Sequence, residues 1–310
     1  MNACKIVMYH YVRPIENSQY PEIKGLEIKG FNRQIQYFKN KFNFIDSDQV
    51  LRCIYNDIPI PPNSILLTFD DGLKDHYLYA FPVLKKHNIQ GLFFIPTKPI
   101  DDNIVLDVHK IHFILVKCDD KQKLVMDIFS LIEQYKTEYN LESPESYFEE
   151  LAVPNRFDTK EVIFIKRILQ RKLPQKLRVE IVRFLFEKYV TKNEKEFAKD
   201  LYLSHDEIKE MTESNMYFGS HSHSHEWLGH LSEADLESEL RQNLKSFLKI
   251  NENRDSWIMC YPYGNYNQMV IEKLREQGFR AGLTTEVDDA MLNQNNAFLL
   301  ERYDTNDFPR

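Results

Sequence analysis

The chain has 310 residues, 43% of them hydrophobic, with 21 Phe and 17 Tyr, enough to bury a large core as one enlarged domain or as a domain carrying an insertion. A formal charge of −7 and a pI near 5.8 come from charges of both signs spread along the chain, so no basic stripe marks a nucleic-acid partner. Cys4, Cys53, Cys118 and Cys260 are widely spaced with no Cys-x-x-Cys, which argues against a zinc ribbon or a disulfide framework and reads as reduced thiols.

The N-terminal Met1-Asn2-Ala3-Cys4-Lys5 leads into an apolar run that stops at Tyr9, too short for the core of a signal peptide. No later segment approaches about 18 apolar residues in succession, so no integral membrane segment and a cytoplasmic location are expected. Short apolar runs of strand length recur at 6–9, 65–69, 92–95, 216–218, 257–261, 281–283 and 298–300, with a weaker one at Phe44-Ile45. Helical periodicity lies between several of them: 73–86, then 232–250 with Leu236, Leu240, Leu244 and Leu248 on one face, then 268–277, stopped by Gly278. Strand alternating with helix predicts an α/β fold, a distorted (β/α) barrel of about seven parallel strands. From 101 to 203 the alternation ceases, and Val162, Ile165, Leu169 and then Leu177, Ile181, Leu185 recur at helical spacing. The domain reading is a discontinuous barrel, 1–100 and 204–310, with a helical insertion over 101–203 that covers the rim or serves as an appendage. His109 and His112 at its start read as surface or packing histidines.

Polar residues cluster where the apolar runs end: His10, Asp70-Asp71, Ser220-His221, Pro262-Tyr263-Gly264 and Glu301-Arg302. In α/β barrels the active site is built at the C-terminal ends of the strands, so these distant segments are expected on one rim. Asp70 and Asp71 leave a strand end in opposite directions, which frees one carboxylate for a metal and the other for proton transfer. His221 and His225 share a face if the chain turns helical after Phe218, with His223 opposite; in an extended segment all three align. One carboxylate and two imidazoles form a three-ligand catalytic site for a divalent ion, with zinc the first choice.

Thr68-Phe69-Asp70-Asp71-Gly72, then Gly219-Ser220-His221-Ser222-His223-Ser224-His225, then Tyr261-Pro262-Tyr263-Gly264 resemble the successive motifs of the polysaccharide deacetylase family, the NodB-like carbohydrate esterases, in a subgroup with a Tyr-Pro-Tyr-Gly third motif. The resemblance covers roughly 1–100 and 204–302. It implies that Asp71, His221 and His225 bind the metal, that Asp70 is the general base toward the attacking water, and that the backbone N–H of Tyr263 helps hold the oxyanion. The implied substrate is an N-acetylated aminosugar, nucleotide-, lipid- or oligosaccharide-linked, on its way into a surface polysaccharide.

Two positions depart from that pattern. Where many relatives carry an Arg three residues before the third-motif Tyr, this chain has Cys260, and Arg302 is the candidate to orient Asp70 instead. The C-terminal Leu-x-His that supplies a general acid is absent, since no His follows His230; His10 is a candidate replacement. Three other readings stand beside this one: hydrolysis of another C–N amide such as a formamide or cyclic imide, a non-haem iron site, and a catalytically weak sugar-binding relative. The oligomeric state has no signal in the sequence.

Overall fold

The computed structural model describes residues 2–154 and 158–309; Met1, Arg310 and the segment 155–157, which falls in the expected insertion, lie outside it. Nine strands form one sheet among the described residues: β1 (Ala3–Tyr9), β2 (Asn43–Phe44), β3 (Ser64–Phe69), β4 (Gly91–Ile95), β5 (Tyr217–Ser220), β6 (Ile258–Cys260), β7 (Ala281–Leu283), β8 (Ala290–Met291) and β9 (Tyr303–Asp304). Their order is β7-β6-β5-β4-β3-β1-β8, with β2 paired to β3 and β9 to β1. Only β8 runs antiparallel to its neighbour, so the sheet is the mostly parallel one of a distorted (β/α) barrel.

All six residues of β3 and all five of β4 are buried, as expected of parallel strands covered on both faces. Successive side chains enter different cores. Ile65, Leu67 and Phe69 join Phe31, Ile35 and Phe38 of helix Ile28–Lys41, while Leu66 joins Leu236, Leu240 and Phe247 of helix Glu233–Phe247. The apolar alternation of the sequence therefore becomes two packed layers around one sheet.

Two expected elements differ. The run at 298–300 is no strand: Asn295 and Asn296 donate their backbone N–H groups to the Asn293 side chain, forming a turn, and only Leu300 makes a bridge, to Leu283. The last strand is instead β9, parallel to β1 at Val7 and Met8. The helix expected over 73–86 divides into a π-helical turn, His76–Ala80, and an α-helix, Phe81–His87. Pro82 has no N–H to give, and the Phe81 N–H bonds the His76 carbonyl in a widened turn.

By contacts the chain forms two compact units, one of Met1–Pro14, Lys24–Ile104 and Ala198–Arg310, the other of Ile15–Ile23 and Val105–Phe197. The second is helical, with Ile165, Leu169, Leu177, Ile181 and Leu185 buried and Val162 half-buried. Residues Ile15–Ile23 belong to it because Tyr20 packs edge-on against Phe113 and Phe197, at 4.7 and 6.3 Å between ring centres. His109 there is fully buried and packs 5.9 Å from the half-buried His112. No helix among the described residues is long and apolar enough to cross a membrane.

Candidate active site

Parallel strands place the loops that follow them on one rim, and the sequence-distant polar residues meet there. The Asp70 N–H bonds the Tyr9 carbonyl at 2.9 Å, joining the ends of β3 and β1, and the His221 N–H bonds the Ile95 carbonyl at 3.0 Å, joining β5 and β4. The backbone at these turns is strained. Asp71, Ser222, His225 and Tyr263 have positive φ, at 77°, 65°, 61° and 57°. The other non-glycine residues with positive φ among those described are Asn or Asp, types that tolerate this region; Ser, His and Tyr enter it at a cost. Three such residues in two loops of one rim identify the place where the fold holds the chain against its preference.

Asp71, His221 and His225 converge. The Nε2 atoms of His221 and His225 lie 3.5 and 3.3 Å from Asp71 Oδ1, all three side chains are buried, and their donor atoms lie within 4.8 Å of one another. His221 Nδ1 is 2.6 Å from the Cys260 carbonyl, an oxygen that can only accept, so Nδ1 carries a proton and Nε2 is the nitrogen that faces the cluster. Burial works against a charged His221, yet Cys260 and the Asp71 and Asp70 carboxylates outweigh it and raise its pKa well above the ordinary imidazole value. A point where positive charge is so favoured, ringed by one carboxylate and two oriented imidazoles, fits a divalent ion.

Asp70 faces another way. Arg302 Nη1 and Nη2 each lie 2.9 Å from its two oxygens, a bidentate pair at 1% exposure on both sides. Arg302 is itself fixed by donating from Nε to the Thr284 carbonyl at 2.7 Å and from Nη1 to Thr68 Oγ1 at 3.2 Å. Burial pushes the Asp70 carboxyl up, but Arg302, then His221 and His10, outweigh it and lower its pKa below the usual range. Cys260 Sγ sits 3.5 Å from Asp70 Oδ2; thus the guanidinium reaches Asp70 from the C-terminal segment, past a thiol that occupies the alternative position.

His10 Nε2 lies 4.0 Å from Asp70 Oδ2 and its side chain is 41% exposed, so it borders the carboxylate from the solvent side. Tyr263 stacks on Trp227 at 4.4 Å with planes 8° apart and meets the His225 ring edge-on at 4.6 Å. His230 stacks on Trp227 in turn, while Tyr266 stacks on Tyr261. His223 does not join the cluster: its Nδ1 pairs with Thr97 Oγ1 at 2.8 Å. The outer two histidines meet through a loop bent at Ser222 and His225, not through a helix.

Sequence reasoning missed two sets of partners. Arg13 makes a bidentate pair with Asp75, at 2.6 and 2.7 Å, and the His76 ring bonds the His10 carbonyl at 2.8 Å, so the residues after the first motif hold the 10–13 loop. Glu239 and Asn243 grip the histidine loop from helix Glu233–Phe247. Their signal was present: two polar residues, four apart, on a face otherwise set by Leu236 and Leu240. A cleft of about 660 Å³ lies elsewhere, near the start of β5, lined by residues including Tyr55, Tyr217 and Arg280 and by none of the cluster.

The fold and cluster define a class, a distorted barrel with a buried carboxylate–imidazole group able to hold a metal ion. The chain belongs to the polysaccharide deacetylase family, whose sequence profile matches residues 57–130 and 157–282, and that family is one of deacetylase enzymes. The Bacillus subtilis protein YxkH is 28% identical over 93 residues, which make up 30% of this chain and 33% of that protein. Among solved structures, the Streptococcus pyogenes deacetylase PplD, in complex with acetate, superposes with a TM-score of 0.58 at 17% identity over 97% of this chain and 92% of its own. IcaB from Ammonifex degensii gives 0.53 at 18% over 97% and 91%, and a de-N-acetylase from Aggregatibacter actinomycetemcomitans 0.56 at 16% over 98% and 95%. At such identities the structural likeness is one of fold.

Proposed function

We propose that the protein is a metal-dependent hydrolase that removes the N-acetyl group of an aminosugar, nucleotide-, lipid- or oligosaccharide-linked, releasing acetate and a free amine. The observation that carries this reading is the division of labour between adjacent carboxylates: Asp71 faces His221 and His225, while Asp70 is locked in a bidentate pair with Arg302. Asp71, His221 and His225 would hold the ion, zinc by the chemistry of one carboxylate and two imidazoles. When bound, such an ion polarises the acyl carbonyl and acidifies water.

Asp70 is the base in this reading. A carboxylate kept ionised and low in pKa is a weak acceptor, suited to a proton that is already acidified, and Arg302 keeps its oxygens in a fixed direction. The Tyr263 N–H is assigned to the oxyanion, and the strained Tyr263-Gly264 turn, with the Trp227 ring behind it, supports that assignment. His10, part-exposed beside Asp70, is in this reading the candidate to deliver the proton to the leaving amine. The family's polysaccharide substrates favour a sugar acetamide over a formamide or cyclic imide. Four free, buried cysteines accord with a cytoplasmic setting.

The test is product analysis on a panel of N-acetylated sugars, free, nucleotide-linked and oligomeric. Acetate with stoichiometric amine is the expected product, and Asp70→Asn should lower kcat by about 10²–10⁴ while keeping bound metal. Formate release, or sugar binding without turnover in both proteins, would contradict the proposal.

A further inference from the structure

The loop that carries the two histidines is held by side chains from one face of helix Glu233–Phe247. Glu239, 6% exposed, accepts the N–H groups of His223 and Ser224 at 2.9 and 2.6 Å and the Ser224 hydroxyl at 2.6 Å. Asn243, 1% exposed, donates to the Ser222 carbonyl at 2.7 Å and accepts the Ser220 hydroxyl at 2.8 Å. Within the loop, the Ser222 N–H bonds Ser220 Oγ and the His225 N–H bonds Ser222 Oγ, at 3.3 and 3.2 Å. Across it, the Thr97 and Lys98 N–H groups bond the Ser222 and His223 carbonyls.

A carboxylate and an amide buried on the same helix face as Leu236 and Leu240 would be costly if they merely filled space. Here both are spent on a loop whose two bends, at Ser222 and His225, lie in a region that Ser and His disfavour. The bends give His221 and His225 their spacing, and charge-assisted bonds to Glu239 are the strongest restraint on them. Neither residue touches the Asp71 cluster in the hydrogen bonds they make, so their effect passes through the loop.

We propose that Glu239 and Asn243 form a positioning clamp that sets the separation of His221 and His225, and with it the protein's affinity for its ion. The proposal rests on the metal-site reading above. Helix Glu233–Phe247 then supplies part of the metal site's rigidity, although its side chains lie outside the ligand set.

The test is titration of metal-stripped full-length protein with Zn2+ alone, well below the melting temperature of each variant. Glu239→Gln, which keeps shape but replaces one acceptor oxygen with a donor amide, should weaken zinc binding by about 10–100-fold. Ser224→Ala removes a single donor to Glu239, leaves the core untouched, and should weaken it by a smaller factor. At saturating zinc, kcat falls in both while KM for substrate is unchanged. Wild-type affinity in a folded Glu239→Gln protein, or in Ser224→Ala should Glu239→Gln not fold, would overturn the clamp. No zinc binding by the wild-type protein would overturn the metal-site reading and the clamp with it.

Discussion

Asp70 is surrounded by Arg302, His221 and His10, with Cys260 Sγ at 3.5 Å, and the largest favourable influence on its charge is the guanidinium. Removing one partner of a buried ion pair leaves the other uncompensated, so Arg302→Ala should cost about 3–5 kcal/mol of stability, read by chemical denaturation. The sign with pH follows from the lowered Asp70 pKa. The pair's contribution is complete above the unfolded carboxyl value of about 3.9 and is lost as pH falls through the lower folded value. In Arg302→Ala the largest cause of the lowering is gone, while burial, which raises the pKa, remains. The acid limb of the rate profile should therefore move to higher pH; an unmoved limb would show that Arg302 does not govern Asp70. Much of this was legible in the sequence. Cys260 stands at the usual arginine position, which calls for another guanidinium, and Arg302 follows an apolar run. Glu239 is not singled out by the sequence, because a buried carboxylate is indistinguishable from a solvated one until its donors are placed.

At the scale of elements, turns carry the site, and turns are where periodicity is silent. The apolar runs located β3, β4 and β7 to within a residue, since a strand buried on both faces has no polar interruption, and caught only the second half of β1, whose first residues alternate buried and half-buried. It misread 298–300, where an Asn-rich turn bends the chain, and it offered helix or extended strand for 221–225, where the backbone is neither. The sharpest element-level prediction concerns the third motif. Gly264 has φ +64°, and a Cβ there would lie 2.1 Å from Thr285 Oγ1. Gly264→Ala must displace either the 284–286 segment, whose Thr284 carbonyl anchors Arg302, or the Tyr263 turn. A shift of about 1 Å at such a turn lowers kcat by about 10²-fold, while zinc affinity is retained because Asp71, His221 and His225 sit on other loops. Steady-state kinetics beside metal titration would check it, and loss of zinc binding together with activity would count against the separate role given to that turn.

Over the whole molecule, residues as distant as Tyr9, Asp70, His221 and Cys260 meet because neighbouring parallel strands bring their ends to one edge, with Arg302 reaching Asp70 from just before β9, and this is why a sequence scan for polar residues after apolar runs points to residues that lie together. The same scan had no means of assigning Ile15–Ile23 to the helical unit, since Tyr20 reveals its allegiance only through Phe113 and Phe197. Binding of an ion to the folded state alone also stabilises that state by mass action, which couples the site to the stability of the unit that holds it. The account turns on one claim, that a divalent ion at Asp71, His221 and His225 is required to release acetate from an N-acetylated sugar. The measurement that tests it most directly is acetate release by metal-stripped protein before and after addition of one equivalent of Zn2+. The account predicts no release before addition and restored turnover after it in the wild-type protein, with no restoration in His225→Ala; undiminished release from the stripped protein would contradict it.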